Sequence, residues 1–144
     1  LHNGEISMSN ISATYLGNLQ VELVHNLSGT KIYTTPTPEH GGSGKAFSPT
    51  DLCTAALCSC AMSMLATYAE NHGLDVTGTT LEVSKAMTTE GPSRIGRIEI
   101  VFNMPNREFS SKDKMVMERA ANTCGVHHSL HPDVEQVFTF RWSD

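Results

Sequence analysis

The first third of the chain shows the pattern of short strands joined by tight turns. Three segments are rich in β-branched and aromatic residues, at positions 11–15, 19–25 and 31–35. Gly17-Asn18 and Ser28-Gly29 separate them, and such pairs favour two-residue hairpin turns. The pattern predicts three consecutive strands connected by hairpins.

A long apolar helix is predicted next. Ser48 can cap its start, Pro49 suits the first helical position, and Asp51 complements the positive helix end. The helix should end near residue 71, before Gly73. Its middle, residues 52–69, is apolar or small on every side, which predicts a helix buried all round. Since one small chain hardly has the material to surround such a helix, we expect a homodimer.

The second half alternates strands with one more helix. Strands are predicted at residues 75–87 and 94–103, and a last strand at 134–142. Ser110 or Ser111 should open a second helix that extends to residue 123. The order βββ-α-ββ-α-β predicts an α+β class, with mainly antiparallel sheets around a long buried central helix, in a single domain over residues 1–144.

Composition narrows the possible partners and the location. The formal net charge is −5 and the isoelectric point is 5.8, which argues against nucleic acid or an anionic membrane as a partner. The uncharged stretch 52–69 contains several hydroxyl side chains and only just reaches spanning length, so a buried helix explains it better. No basic stretch precedes an apolar segment at the start, so we expect no signal peptide and a cytoplasmic protein with reduced thiols.

The four cysteines do not form a secreted disulfide framework, because three of them lie on one predicted helix. The spacing of Cys53, Cys58 and Cys60 within a continuous helix also cannot close a tetrahedral zinc site. Cys53 and Cys58 are expected to be small core residues. Cys60 and Cys124 are the candidates for chemistry.

Two motifs resemble the family of osmotically inducible protein C (OsmC) and organic hydroperoxide resistance proteins. The stretch from Ser48 to Cys60 is similar to the helix start and reactive cysteine of that family. Cys124-Gly-Val-His-His-Ser-Leu-His-Pro resembles the segment that carries the family's second cysteine. The similarity extends over most of the chain.

The resemblance implies an intertwined homodimer that reduces organic hydroperoxides in stress defence. Cys60 would attack the peroxide and Cys124 would resolve the product, with electrons from a dithiol such as a lipoylated protein. No cofactor and no metal are implied. The alternative is a small-molecule or partner-binding protein on the same fold, with weak or no peroxidase activity.

The family's active peroxidases place an arginine on the N-terminal sheet and a glutamate in the first turn of the central helix. This chain has no arginine before Arg94, and Thr50 occupies the position of the glutamate, with Asp51 beside it. Lys31, Lys45 and Arg97 are candidate substitutes. Without a cation, burial should raise the Cys60 pKa, and we expect slow turnover that rises with pH.

Cys124 is predicted to lie at the C-terminal end of the second helix, where the negative dipole disfavours a thiolate and suits a resolving thiol. A rival interpretation concerns its neighbours. Cys124, His127, His128 and His131 form a cluster of residue types that bind zinc or nickel. The histidines would otherwise belong to a polar loop at the mouth of the active site.

Overall fold

The computed structural model describes residues 9–143, in two compact units divided after Leu52. The first unit contains a three-stranded antiparallel sheet in the order β1-β2-β3. The strands are β1 (Ile11–Gly17), β2 (Gln20–His25) and β3 (Lys31–Thr34). A short 3-10 helix at Pro38–His40, which the sequence did not predict, follows β3.

The first hairpin turn explains why β2 begins one residue later than expected. Asn18 and Leu19 both have positive φ, at 53° and 65°, and Gly17 has φ of 90°. Left-handed residues cannot continue a strand, so Leu19 belongs to the turn. The predicted hairpin is confirmed, with its turn centred on Asn18 and Leu19.

Helix α1 spans Pro49–Asn71, as predicted. Ser48 Oγ accepts a hydrogen bond from Asp51 N at 3.1 Å, and Asp51 Oδ2 accepts one from Ser48 N at 3.1 Å. This reciprocal pair is a capping box and fixes the start of the helix. Gly73, with φ of 67°, stops it in the left-handed conformation that favours glycine.

The prediction that α1 is buried on every side is not met within one chain. Its buried residues form one stripe at helical spacing: Thr54, Leu57, Ala61, Leu65 and Ala69. Ser59, Ser63 and Thr67 are exposed, and Met64 keeps 39% of its surface accessible. Helix α1 is also the one helix of residues 9–143 that is long and apolar enough to cross a membrane, a test that the core helix of a soluble protein also passes.

The second unit contains a three-stranded sheet in the order β4-β5-β6. It consists of β4 (Thr80–Met87), β5 (Ile95–Asn103) and β6 (Glu135–Arg141). Strands β4 and β5 are antiparallel, whereas β5 and β6 are parallel. Two helices connect β5 to β6, which makes the parallel pairing possible. The expectation of mainly antiparallel sheets is confirmed, with this one parallel pair added.

Strand β4 begins five residues later than predicted because a polar turn precedes it. Thr77 N donates to Asp75 Oδ1 at 2.9 Å, and Thr79 Oγ1 donates to Val76 O at 2.7 Å. These side-chain bonds to the backbone replace strand pairing over residues 75–79.

The core of the second unit lies between α1, α2 and the β4-β5-β6 sheet. Alternate residues of β5 are fully buried, namely Ile98, Ile100 and Phe102. Phe102 stacks on Phe140 of β6 with ring centroids 4.4 Å apart. The fully buried residues of the helices pack in the same cluster: Leu57, Ala61, Leu65, Ala69, Met117 and Ala121.

Helix α2 (Ser111–Ala121) ends two residues earlier than predicted, and a short helix α3 (Gly125–Ser129) follows where an irregular segment was expected. Ser110 caps α2 by accepting a hydrogen bond from Asp113 N at 3.0 Å. Cys124 caps α3. The class is therefore α+β with two small sheets. The single domain and the intertwined dimer stay predictions, and the start of the chain, on which the signal-peptide prediction rests, lies outside the described residues.

Candidate active site

Cys60 lies about three turns into α1 and is half-buried against the core. Cys124 is fully buried at the N-cap of α3. Both are free thiols. They are 64 positions apart in sequence, yet the fold of the second unit brings them together, and a hydrogen bond joins the two sulfur groups. The sequence predicted this pair of residues only through the family resemblance.

The backbone at the start of α3 stabilises the Cys60 thiolate. The pKa of Cys60 is lowered, first by a hydrogen bond from the Val126 backbone N–H. Burial opposes this effect, and the Cys124 thiol and the Gly125 backbone N–H lower the pKa further. Hydrogen bonds to an anion favour the charged form of the group. This corrects the expectation that burial, without a cation, would raise the Cys60 pKa.

Cys124 differs from Cys60 in the direction of its pKa shift. Its pKa is raised, first by burial, and the hydrogen bond and negative charge of Cys60 raise it further. The backbone N–H of His127 donates to Cys124 Sγ at 3.3 Å and partly offsets this effect. The expected direction is correct, but its cause is not the end of α2, since Cys124 stands beyond α2 and caps α3.

The pair can therefore hold one negative charge on Cys60 and one proton on Cys124. A nucleophilic thiolate beside a protonated thiol is the arrangement required for oxidation of the first sulfur and its capture by the second. The remaining cysteines differ. Cys53 and Cys58 pack partly buried against the core, as expected, and burial raises the Cys58 pKa.

Gln136 was not predicted as part of this region. Its side chain makes two hydrogen bonds to His127, one to the ring and one to the backbone carbonyl. In the sequence, Gln136 is only a polar residue beside the apolar positions Val137 and Phe138 of a predicted strand, and the structure shows it to be half-buried. That interruption was the one available signal, because a buried amide needs partners.

Two of the three proposed substitutes for the family's arginine, Arg97 and Lys31, have acidic partners. Arg97 Nη1 lies 3.0 Å from Glu135 Oε1, and Arg97 Nη2 lies 3.7 Å from Glu99 Oε2. Lys31 Nζ lies 3.9 Å from Glu22 Oε2. Asp51 serves the helix cap, and Thr50 Oγ1 lies 3.3 Å from Ser48 Oγ. Backbone amides of α3, rather than these side chains, account for the lowered Cys60 pKa.

The histidines border an open cleft of about 350 Å³. It is lined by His127, His128, Leu130, His131, Pro132, Val134 and Gln136. Between residues 9 and 143, no group of three or more His, Cys, Asp or Glu side chains is placed to hold a metal ion. His131 Nδ1 instead accepts a hydrogen bond from Asp133 N at 2.9 Å. The rival interpretation of a metal cluster therefore has no geometric support in this part of the chain.

Comparison with known proteins identifies the family. A profile described as OsmC-like protein matches residues 42–137, which is most of the chain. The chain therefore belongs to the OsmC-like protein family, as the two cysteine motifs suggested. No curated protein matches the chain in sequence.

Solved structures share the fold at several levels of similarity. A protein from Psychrobacter arcticus 273-4, described as a putative osmotic stress induced and detoxification response protein, is 32% identical, with a TM-score of 0.90 over 96% of this chain and 100% of that chain. An organic hydroperoxide resistance protein OsmC from Legionella pneumophila is 16% identical, with a TM-score of 0.68, and the match covers 94% and 97% of the two chains. An organic hydroperoxide resistance protein from Elizabethkingia anophelis is 14% identical, with a TM-score of 0.71 over 98% and 100%.

Proposed function

We propose that this protein is a thiol-dependent peroxidase that reduces organic hydroperoxides through Cys60 and Cys124. The observation that carries the proposal is the hydrogen-bonded thiol pair, in which the Cys60 pKa is lowered and the Cys124 pKa is raised. Membership of a family that includes organic hydroperoxide resistance proteins supports the same assignment.

The reaction balances in three steps. The Cys60 thiolate attacks the terminal oxygen of the hydroperoxide, the O–O bond breaks, and the alkoxide takes a proton and leaves as an alcohol. Cys60 is now a sulfenic acid. The Cys124 sulfur, on losing its proton, attacks the Cys60 sulfur, and a disulfide forms as water leaves. A dithiol then reduces the disulfide by thiol–disulfide exchange and is itself oxidised.

The partners of this cycle follow from the family resemblance. The substrate would be an organic hydroperoxide, and the reductant a dithiol such as a lipoylated protein. A reducing compartment suits a thiol cycle, so we propose a cytoplasmic role in the response to oxidative or osmotic stress. The acidic net charge of −5 gives no reason to add nucleic acid or membrane as a partner.

The test is a count of free thiols before and after treatment with an organic hydroperoxide. We expect the reduced protein, which has four cysteines, to lose two thiols, with mass spectrometry locating a Cys60–Cys124 disulfide. Cys124→Ser should lose only one, because Cys60 then stops at the sulfenic acid. If the wild-type protein kept all four thiols, the alternative of a binding protein on the same fold would replace this proposal.

A further inference from the structure

Gln136 uses both ends of its side-chain amide on a single residue. Its Oε1 lies 2.5 Å from His127 Nδ1, and its Nε2 donates to the His127 backbone carbonyl at 3.2 Å. With Nε2 directed at the carbonyl, Oε1 must be the acceptor, so Nδ1 of His127 is the protonated ring nitrogen.

The position of Gln136 is fixed by the packed strand that carries it. It lies on β6, where it pairs in register with Ile98 of β5, a residue with no exposed surface. A side chain on a packed strand is held more firmly than one on a loop. The α3 segment, by contrast, is only five residues long. It depends on contacts outside itself for a fixed position, because so short a helix is not stable alone.

His127 connects Gln136 to the thiol pair. Its backbone N–H donates to Cys124 Sγ at 3.3 Å, and Cys124 is the N-cap of α3. The next two residues, Gly125 and Val126, carry the N–H groups that bond to Cys60. Hydrogen bonds therefore link Gln136 through His127 to Cys124, and the two residues that follow Cys124 along the chain carry the N–H groups that bond to Cys60.

We propose that Gln136 is a positioning residue, which acts through His127 to hold Cys124 and the backbone that follows it against Cys60. The inference concerns the same thiol pair as the proposed function and rests on it for its catalytic meaning. A hydrogen bond to a charged sulfur weakens steeply when its angle or distance is lost. Releasing α3 should therefore make Cys60 a weaker acid without altering any group that touches it.

The experiment measures the acidity of Cys60 directly. Reduced protein is treated with excess iodoacetamide over a pH series, and fragment-ion mass spectrometry follows alkylation at Cys60 itself, because Cys53 and Cys58 lie on the same tryptic peptide. Gln136→Met removes both hydrogen bonds at nearly constant side-chain length. We expect it to raise the alkylation midpoint by half to one pH unit, which slows alkylation at neutral pH roughly three- to tenfold.

Two further variants test the route through His127. His127→Ala removes the ring bond but keeps the backbone bonds, so it should raise the midpoint less than Gln136→Met does. His128→Ala is the matched control, because it removes an imidazole from the same helix and leaves both Gln136 bonds in place. Thermal unfolding of each variant shows whether it remains folded.

Several outcomes would overturn the inference. The first is an unchanged alkylation midpoint in a folded Gln136→Met variant. The second is an equal rise of the midpoint in all three variants, because that would indicate a general loss of structure. If Gln136→Met did not fold, the comparison of His127→Ala with His128→Ala would decide. A higher alkylation midpoint in His127→Ala alone would support the inference, and equal midpoints in the two variants would overturn it. The readout needs no peroxide, so an inactive wild-type protein with a midpoint sensitive to Gln136 would refute the proposed function alone.

Discussion

Among single residues, Cys60 is distinguished from Cys53 and Cys58 by its partners rather than by its burial. All three are partly buried on α1. Backbone N–H groups and a second thiol lower the pKa of Cys60, while burial raises the pKa of Cys58. Nucleophilic chemistry requires the thiolate, so these environments separate the roles of the three residues.

We predict that Cys60→Ser abolishes peroxide consumption, whereas Cys53→Ser and Cys58→Ser leave it largely intact. A serine hydroxyl cannot form the sulfenic acid, and the other two positions serve packing. Peroxide consumption with a dithiol reductant measures this, with circular dichroism to establish folding. Equal losses in three folded variants would show that the attacking cysteine is misassigned.

The acidity of Cys60 leads to a prediction about pH. Its lowered pKa means that the thiolate persists at a lower pH than for an ordinary thiol, whose pKa is about 9.0. We expect the alkylation rate of Cys60 to rise with a midpoint below that value and then to level off. Peroxide turnover should follow the same curve while attack limits the rate. A midpoint at or above the pKa of an ordinary thiol would instead favour slow turnover that rises with pH, which the missing arginine led us to expect.

Among the secondary-structure elements, helices α1 and α2 are joined by a part-buried hydrogen bond between side chains. Tyr68 Oη donates to Asp113 Oδ1 at 2.8 Å, and Asp113 also accepts from Ser110 Oγ. These two hydrogen bonds, that of Tyr68 first, lower the Asp113 pKa. The folded state therefore favours the carboxylate. Its contribution to stability is present above the unfolded pKa of about 4 and is lost as the pH falls through the folded pKa.

We predict that Tyr68→Phe destabilises the protein at neutral pH, and that its difference from the wild type shrinks as the pH falls below the unfolded carboxyl pKa of about 4. Urea unfolding at several pH values measures this. Tyr33→Phe is the control, since it removes an exposed phenol that donates to Glu22 at 3.3 Å and should cost little. A Tyr68→Phe deficit that stayed constant down to pH 2 would mean that Asp113 plays no part.

The elements that the sequence predicts well are those defined by local signals. Helix α1 has a capping box at Ser48 and a glycine stop at Gly73, and both of its ends were predicted to within a residue. Helix α3 was missed because its five residues contain a glycine and two histidines and no apolar periodicity. Its cap is a cysteine, which is not among the residues that ordinarily signal a helix start.

For the candidate site too, the sequence predicted some features and missed others. Family motifs indicated Cys60 and Cys124, but the groups that set their acidity could not be predicted from the sequence. The backbone amides of Gly125 and Val126 act through position alone, and a backbone N–H has no residue signature. The sequence therefore suggested that Cys60 needed a cation, whereas the fold supplies peptide dipoles in its place.

At the scale of the whole molecule, a single chain leaves many apolar residues exposed. Strand β1 exposes Ile11 to 60%, Tyr15 to 64% and Leu16 to 48%, and α1 buries only one stripe of its surface. Exposed apolar residues that cluster on one element commonly mark an interaction surface. A second copy of the chain is the partner that the family resemblance implies for the exposed residues of each element.

We therefore predict a stable homodimer in which β1 lies at or near the interface. Light scattering at micromolar concentration should give twice the chain mass of 15.7 kDa. Ile11→Glu places a charge on the apolar surface and should weaken the dimer, because a buried unpaired carboxylate is costly. Ser12→Glu, at the neighbouring exposed position on β1, is the matched control and should leave the mass unchanged. A folded monomer of the wild-type protein would contradict the intertwined architecture, and equal behaviour of the two variants would place the interface away from Ile11.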